Sequence, residues 1–97
     1  MISVEFLAEA EDEFEAAAAF YETGSASTAA RFVRTVNHTI ALVQDFPELG
    51  SSVGAVDRRV LVSGFPYQVV YRFDGHLIIV VAIAHLHRKP DYWHGRL

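Results

Sequence analysis

The sequence predicts an α+β fold in which a two-helix antiparallel hairpin lies across one face of a small antiparallel β-sheet. Three observations carry this. Apolar residues recur at helical spacing through the first half of the chain, at Ala10, Phe14, Ala17 and Tyr21 and again at Ala29, Phe32, Val33, Val36, Ile40 and Val43. After Arg58 the period becomes that of strands. Between Phe73 and Leu77 stands Asp74-Gly75, a tight-turn signal that makes its flanking strands antiparallel neighbours.

Taken in order, Ile2 to Phe6 alternates weakly and is short, which suits an edge or pairing strand. Ala8 to Glu22 follows as a helix whose acids crowd the first turns, where they complement the helix dipole. The acidic residues Glu9, Asp12, Glu13, Glu15 and Glu22 read as a solvated face, and Gly24 breaks the helix. Ser25 or Ser27 can cap a second helix running to about Asp45, where Pro47 stops it. So short a connection folds the two helices against each other.

Glu48 to Ala55 reads as a Gly/Ser-rich loop. Arg59 to Val62 is a short strand, and Gly64 and Pro66 interrupt the chain before Tyr67 to Phe73. That strand places Tyr67, Val69, Tyr71 and Phe73 on one face and Gln68, Val70 and Arg72 on the other. Leu77 to Ala84 is almost continuously apolar, as expected of a strand covered on both faces.

Composition bounds the function. With 97 residues, 52% of them apolar, the chain suits one domain with a real core, residues 1–97. It has no cysteine, which removes disulfides and thiolate chemistry and fits a reducing, cytoplasmic setting. Its first residues are acidic where a secretory leader needs a basic start, and no apolar run is long enough to cross a bilayer as a helix, so no membrane partner is expected. Net charge is −4, unevenly spread: residues 1–50 hold nine acids against two bases, residues 51–97 three acids against six bases. A bulk polyanion binder is usually basic throughout, so the positive half points to a local site.

Phosphate-cradling glycine loops and nucleophile-elbow serines are missing from the sequence. His85 and His87 stand two apart at a strand end, without the i, i+4 spacing of helical zinc pairs, so no metal and no cofactor are expected. The distinctive stretch is the tail from His85 to Arg96, with His85, His87, Arg88, Lys89, Tyr92, Trp93, His94 and Arg96. Such a set suits RNA contact by phosphate pairing and base stacking. It equally suits a protein interface, where Trp, Tyr and Arg are enriched. It also suits plain architecture, with Tyr92 and Trp93 folded onto the sheet and Arg88 and Arg96 tying down the terminus. Arg58, Arg59 and Arg72 sit on nearby strands and extend either interface reading.

With these elements in place, the chain resembles the RelE/ParE toxins of type II toxin–antitoxin systems. The likeness rests on Pro47-Glu48-Leu49-Gly50, Gly64-Phe65-Pro66-Tyr67, Val69-Val70-Tyr71-Arg72, Ala82-Ile83-Ala84-His85, and Arg88-Lys89-Pro90-Asp91-Tyr92-Trp93 with Arg96. It implies a growth-inhibiting, plasmid-stabilising toxin that a cognate antitoxin neutralises by wrapping it. Two target classes follow. RelE-like members cut mRNA in the ribosome, which here would be metal-independent endoribonuclease chemistry with His85, His87, Arg88 and Tyr92 as its catalytic candidates. ParE-like members bind and inhibit DNA gyrase, which gives Arg59, Arg72, Arg88, Tyr92, Trp93 and Arg96 as target-binding candidates. The ribonucleases lean on lysines, whereas Lys89 is the single lysine here, and an arginine is a poor proton shuttle because it stays charged. The tail with Tyr92-Trp93 is closer to the ParE-like pattern. A third expectation is an inactive relative that acts only in an autoregulatory toxin–antitoxin complex.

Overall fold

A computed structural model describes residues Met1–Leu97. The element order is β1 (Ser3–Phe6), α1 (Ala8–Gly24), α2 (Ala26–Asp45), β2 (Ser51–Val53), β3 (Asp57–Leu61), β4 (Tyr67–Phe73) and β5 (Leu77–His85). The strands form one sheet in the order β1-β5-β4-β3-β2. Ser25 separates the helices and serves both: its N–H closes α1 on the Tyr21 carbonyl, and its Oγ accepts from the Thr28 N–H at the start of α2. One residue reverses the chain.

The expected alternation puts Tyr67, Val69 and Tyr71 of β4 toward the helices. There Phe32 of α2 meets Phe14 and Tyr21 of α1, Phe65 and Tyr67, with ring centroids 5.1–5.9 Å apart. Ala10 and Ala17 let α1 lie close to β5, and with Val36, Ile40, Val62, Val69, Val80 and Ile83 they complete this core. Tyr71 is fully buried, and its hydroxyl ties the loop after α2 to the sheet. It donates to the Pro47 carbonyl at 2.7 Å and accepts from the Gly50 N–H at 3.0 Å. A Cβ at residue 50 would stand 2.8 Å from both that hydroxyl and the Arg59 carbonyl, so glycine is required there by space.

Four readings are corrected. The sheet is mixed: β1 pairs parallel with β5, from Ser3↔Leu77 to Phe6↔Val80, while the other pairings are antiparallel. A hairpin turn forces antiparallel pairing, but β1 reaches β5 only through the helices and most of the sheet, so nothing local sets its direction. The loop read from Glu48 contains β2, too short and polar at Ser51-Ser52-Val53 to show alternation, yet paired with β3 through Ser51↔Arg59 and Val53↔Asp57. The strand read as Arg59–Val62 starts at Asp57. Finally, the β4–β5 turn centres one residue later, on Gly75-His76. The Asp74 carboxylate accepts from the His76 and Leu77 N–H groups at 2.8 Å each, and Gly75 takes the positive φ of +100°.

β5 also carries an irregularity. Val70 pairs with Ala82 but Tyr71 pairs with Val80, so Val81 is an extra residue. The alternation of β5 therefore slips. Val80 and Ile83 both face the helices, while Val81, Ala82 and Ala84 join Val70 on the opposite face beneath Trp93. Helices cover one face of β5 and the tail covers the other, which accounts for its continuous apolar sequence.

Candidate functional site

The site begins where β1 ends. β1 accompanies β5 only as far as Val80, and the Leu7 N–H makes the last bond, to the Val80 carbonyl. From Val81 to His85 that edge of β5 has no strand beside it, and unpaired edge groups are costly when buried. Two side chains stand in for a strand. The Glu13 carboxylate accepts the Ile83 N–H at 3.1 Å, and the Arg96 guanidinium donates to the Val81 carbonyl at 3.0 Å.

These two residues grip each other. Arg96 Nη1 lies 2.9 Å from Glu13 Oε1 and Nη2 lies 3.0 Å from Oε2, the two-pronged geometry that a guanidinium makes best. The Tyr92 hydroxyl donates to Oε2 at 2.6 Å, and Arg88 Nη1 stands 3.5 Å from the same oxygen. The Arg88 guanidinium also lies 3.7 Å above the Tyr92 ring. Glu13 is the hub of this arrangement, with its side chain only 14% exposed.

The electrostatics follow from the hub. Burial pushes the Tyr92 phenol well above its usual range, and the hydrogen bond to Glu13 and that carboxylate's charge push it further. Tyr92 is therefore held as a neutral donor. The bond to Glu13 also raises the Arg96 guanidinium, which stays charged in any case.

The tail residues divide sharply by environment. Trp93 is buried on the back of the sheet against Val70, Val81, Ala82 and Ala84, with its indole N–H unpartnered. Arg96 is engaged by Glu13. Arg88 reaches outward, 55% exposed. The chain turns twice to allow this, with positive φ at Asp91 (61°) and Gly95 (85°). His85 and His87 lie together, their rings 5.1 Å apart, and the His87 N–H donates to His85 Nδ1 at 3.0 Å. That bond engages the Nδ1 lone pair of the His85 ring. His85, Arg88 and Glu13 rim an open groove of about 320 Å³ floored by Ala16, Ala17, Tyr67 and Ile83.

The arginines do not form one cluster. Arg72 pairs with Asp57 at 2.9 Å beside a separate cleft of about 100 Å³ under Trp93 and the terminus. Arg58 turns to the Gly50 carbonyl at 2.8 Å and the Glu48 carbonyl at 3.3 Å. Arg59 is exposed and has no protein partner.

Glu13 escaped the sequence reading, which assigned it to the solvated acidic face. Its spacing held the signal. It lies three residues after Ala10 and four before Ala17, both buried, so it sits on the flank of α1 that faces β5.

Against this geometry stand the comparisons with known proteins. The family model for the ParE toxin of the type II toxin–antitoxin system parDE matches residues 4–90. A comparison with curated proteins finds no match. Among solved structures, the chromosomal ParDE toxin–antitoxin system from P. aeruginosa contains a chain of the same fold. Its TM-score is 0.75 at 20% sequence identity, covering 90% of this chain and 98% of that one.

Proposed function

The chain belongs to the ParE toxin family of type II toxin–antitoxin systems, and on that premise we propose that it arrests growth by gripping DNA gyrase rather than by cutting RNA. Its partner within the system is a cognate antitoxin. No helix is long and apolar enough to cross a membrane, and the target places its action in the cytoplasm. Residues 1–97 act as one toxin domain.

One observation carries the choice of target: two of the groups that would move protons in RNA cleavage, Tyr92 and His85, are already engaged. The Tyr92 hydroxyl donates to Glu13, and the His85 Nδ1 lone pair accepts from the His87 N–H. The arginines that would steady a developing charge are already paired with carboxylates, Arg88 and Arg96 with Glu13 and Arg72 with Asp57. What the tail offers outward is a rigid, stacked Arg88 with the exposed His87 and Lys89. That is a binding surface, since a fixed guanidinium on an aromatic ring loses little entropy on contact.

The ribonuclease reading keeps one observation in its favour, the meeting of His85 and Arg88 on one groove. Two assays separate the readings: gyrase supercoiling and ribosome-programmed mRNA cleavage, each with purified toxin. We expect supercoiling to be inhibited, antitoxin to restore it, and mRNA to stay intact. Cleavage abolished by Arg88→Ala in a folded protein would replace gyrase with the ribosome.

A further inference from the structure

The cleft beside Arg72 lies where two loops meet. The turn joining β2 to β3 lines it with Val56 and Asp57, the tail lines it with Trp93 and His94, and the sheet adds Arg72 and Val81. The two loops abut, since a Cβ at Gly54 in that turn would stand 3.8 Å from the His94 ring.

Donors outnumber acceptors here. Arg72 spends its Nε on Asp57 Oδ1, and neither of its Nη atoms has a partner, so the outer edge of its fork is free on a side chain 33% exposed. Trp93 is 4% exposed, and its indole N–H is buried without an acceptor. Such a donor is costly when left unmade. Arg96 adds no free pair of donors, because Glu13 and the Val81 carbonyl hold both of its Nη atoms.

Charge and size narrow the ligand. Each cation is balanced by one carboxylate, Arg72 by Asp57 and Arg96 by Glu13, so the cleft is rich in donors without a strong positive field. That favours a monoanion over a multiply charged phosphate. The free edge of a guanidinium matches a carboxylate in shape, two parallel N–H groups meeting two oxygens. About 100 Å³ has room for several waters or one small organic acid. Val56, 59% exposed, supplies an apolar contact beside the donors.

We propose that this cleft binds a small aliphatic monocarboxylate of acetate or propionate size. Its oxygens meet the free edge of Arg72 and the Trp93 indole N–H, and its alkyl end lies against Val56. Bound there, the acid ties the β2–β3 turn to the tail without touching the Glu13 hub. The site is independent of which target the toxin grips.

The first test needs no substitution, because Trp93 is the only tryptophan and gives a single indole resonance in a proton–nitrogen NMR spectrum. Titrating the whole chain with sodium acetate near neutral pH is expected to move that resonance downfield and to saturate. Half the effect is expected near about 1 mM, the weak affinity that so few contacts allow. Sodium chloride at matched ionic strength is expected to leave the resonance in place, and inorganic phosphate to move it far less. Arg72→Gln removes the charged fork and is expected to weaken acetate binding at least about tenfold. Val56→Asp alters an exposed side chain, so folding is kept, and its like charge is expected to weaken acetate at least about fivefold. An indole resonance unmoved by about 50 mM acetate, or moved equally by chloride or more readily by phosphate, overturns the proposal. So does acetate binding to folded Arg72→Gln or to Val56→Asp within about twofold of the unaltered protein.

Discussion

The two ends of the sheet handle unpaired backbone in opposite ways. At the β1 end, β5 runs on past its neighbour, and Glu13 and Arg96 supply the missing acceptor and donor from side chains. At the β2 end, β3 runs on past its neighbour and nothing fills the gap at Leu61. The first end carries the tail's aromatics and both of its arginines, and its polar groups largely satisfy one another. The second is plainer in sequence but keeps its hydrogen-bonding and apolar capacity unsatisfied. A residue's chemical promise in a sequence therefore says less than whether its neighbours have already claimed it.

Substitutions at the closed end are expected to have the larger effects on stability. Trp93→Ala removes the side chain that covers the back of β5 and is expected to cost about 3–5 kcal/mol, read from denaturant unfolding. A cost below about 1 kcal/mol would mean that the tail is not part of the core. Glu13→Ala strands the Arg96 guanidinium, the Tyr92 hydroxyl and the Ile83 N–H together, and about 3 kcal/mol is expected. Because Trp93 is the only tryptophan, its fluorescence follows the tail directly. In the Glu13 variant its emission should shift to the red before global unfolding, and coincident transitions would show that the tail is not held by this hub.

Tyr92→Phe is a gentler probe, with a loss of about 1.5 kcal/mol expected near neutral pH. Its pH signature has a definite sign. The Tyr92 phenol is raised in the folded protein by burial first and then by Glu13. Its contribution is thus fully present below the unfolded tyrosine range near pH 10 and is lost as pH rises toward the folded value. Unfolding midpoints measured between pH 8 and 11 should fall more steeply for the unaltered protein than for Tyr92→Phe; parallel slopes would argue against the assignment. The smallest effect lies at the open end. Arg59→Ala should leave stability within about 0.5 kcal/mol, and a larger loss would reveal an internal partner.

The order of elements was legible in the sequence because it is written in local periodicity. The helical stripes, the stop at Pro47 and the alternation of β4 each depend on residues a few positions apart. The rest depends on pairings across the chain. The parallel register of β1 joins Ser3 to Leu77, and β2 exists because β3 is there to pair with it. The slip at Val81 leaves no mark in a run that is apolar throughout. At the site, the sequence located the tail and allowed that Tyr92, Trp93 and Arg96 serve architecture. It hid the hub, since Glu13 meets Arg96 from 83 residues away and a carboxylate in an acidic helix resembles its solvated neighbours.

The claim that the tail is a clamp centred on Glu13 is tested most directly by a double-mutant cycle between Glu13→Ala and Arg96→Ala, read from denaturant unfolding. The two side chains share two short hydrogen bonds and the same strand edge, so a coupling of about 2 kcal/mol is expected, with the double variant little worse than either single one. Losses that add to within about 0.5 kcal/mol would contradict the clamp and return the tail's arginines to the list of free functional groups.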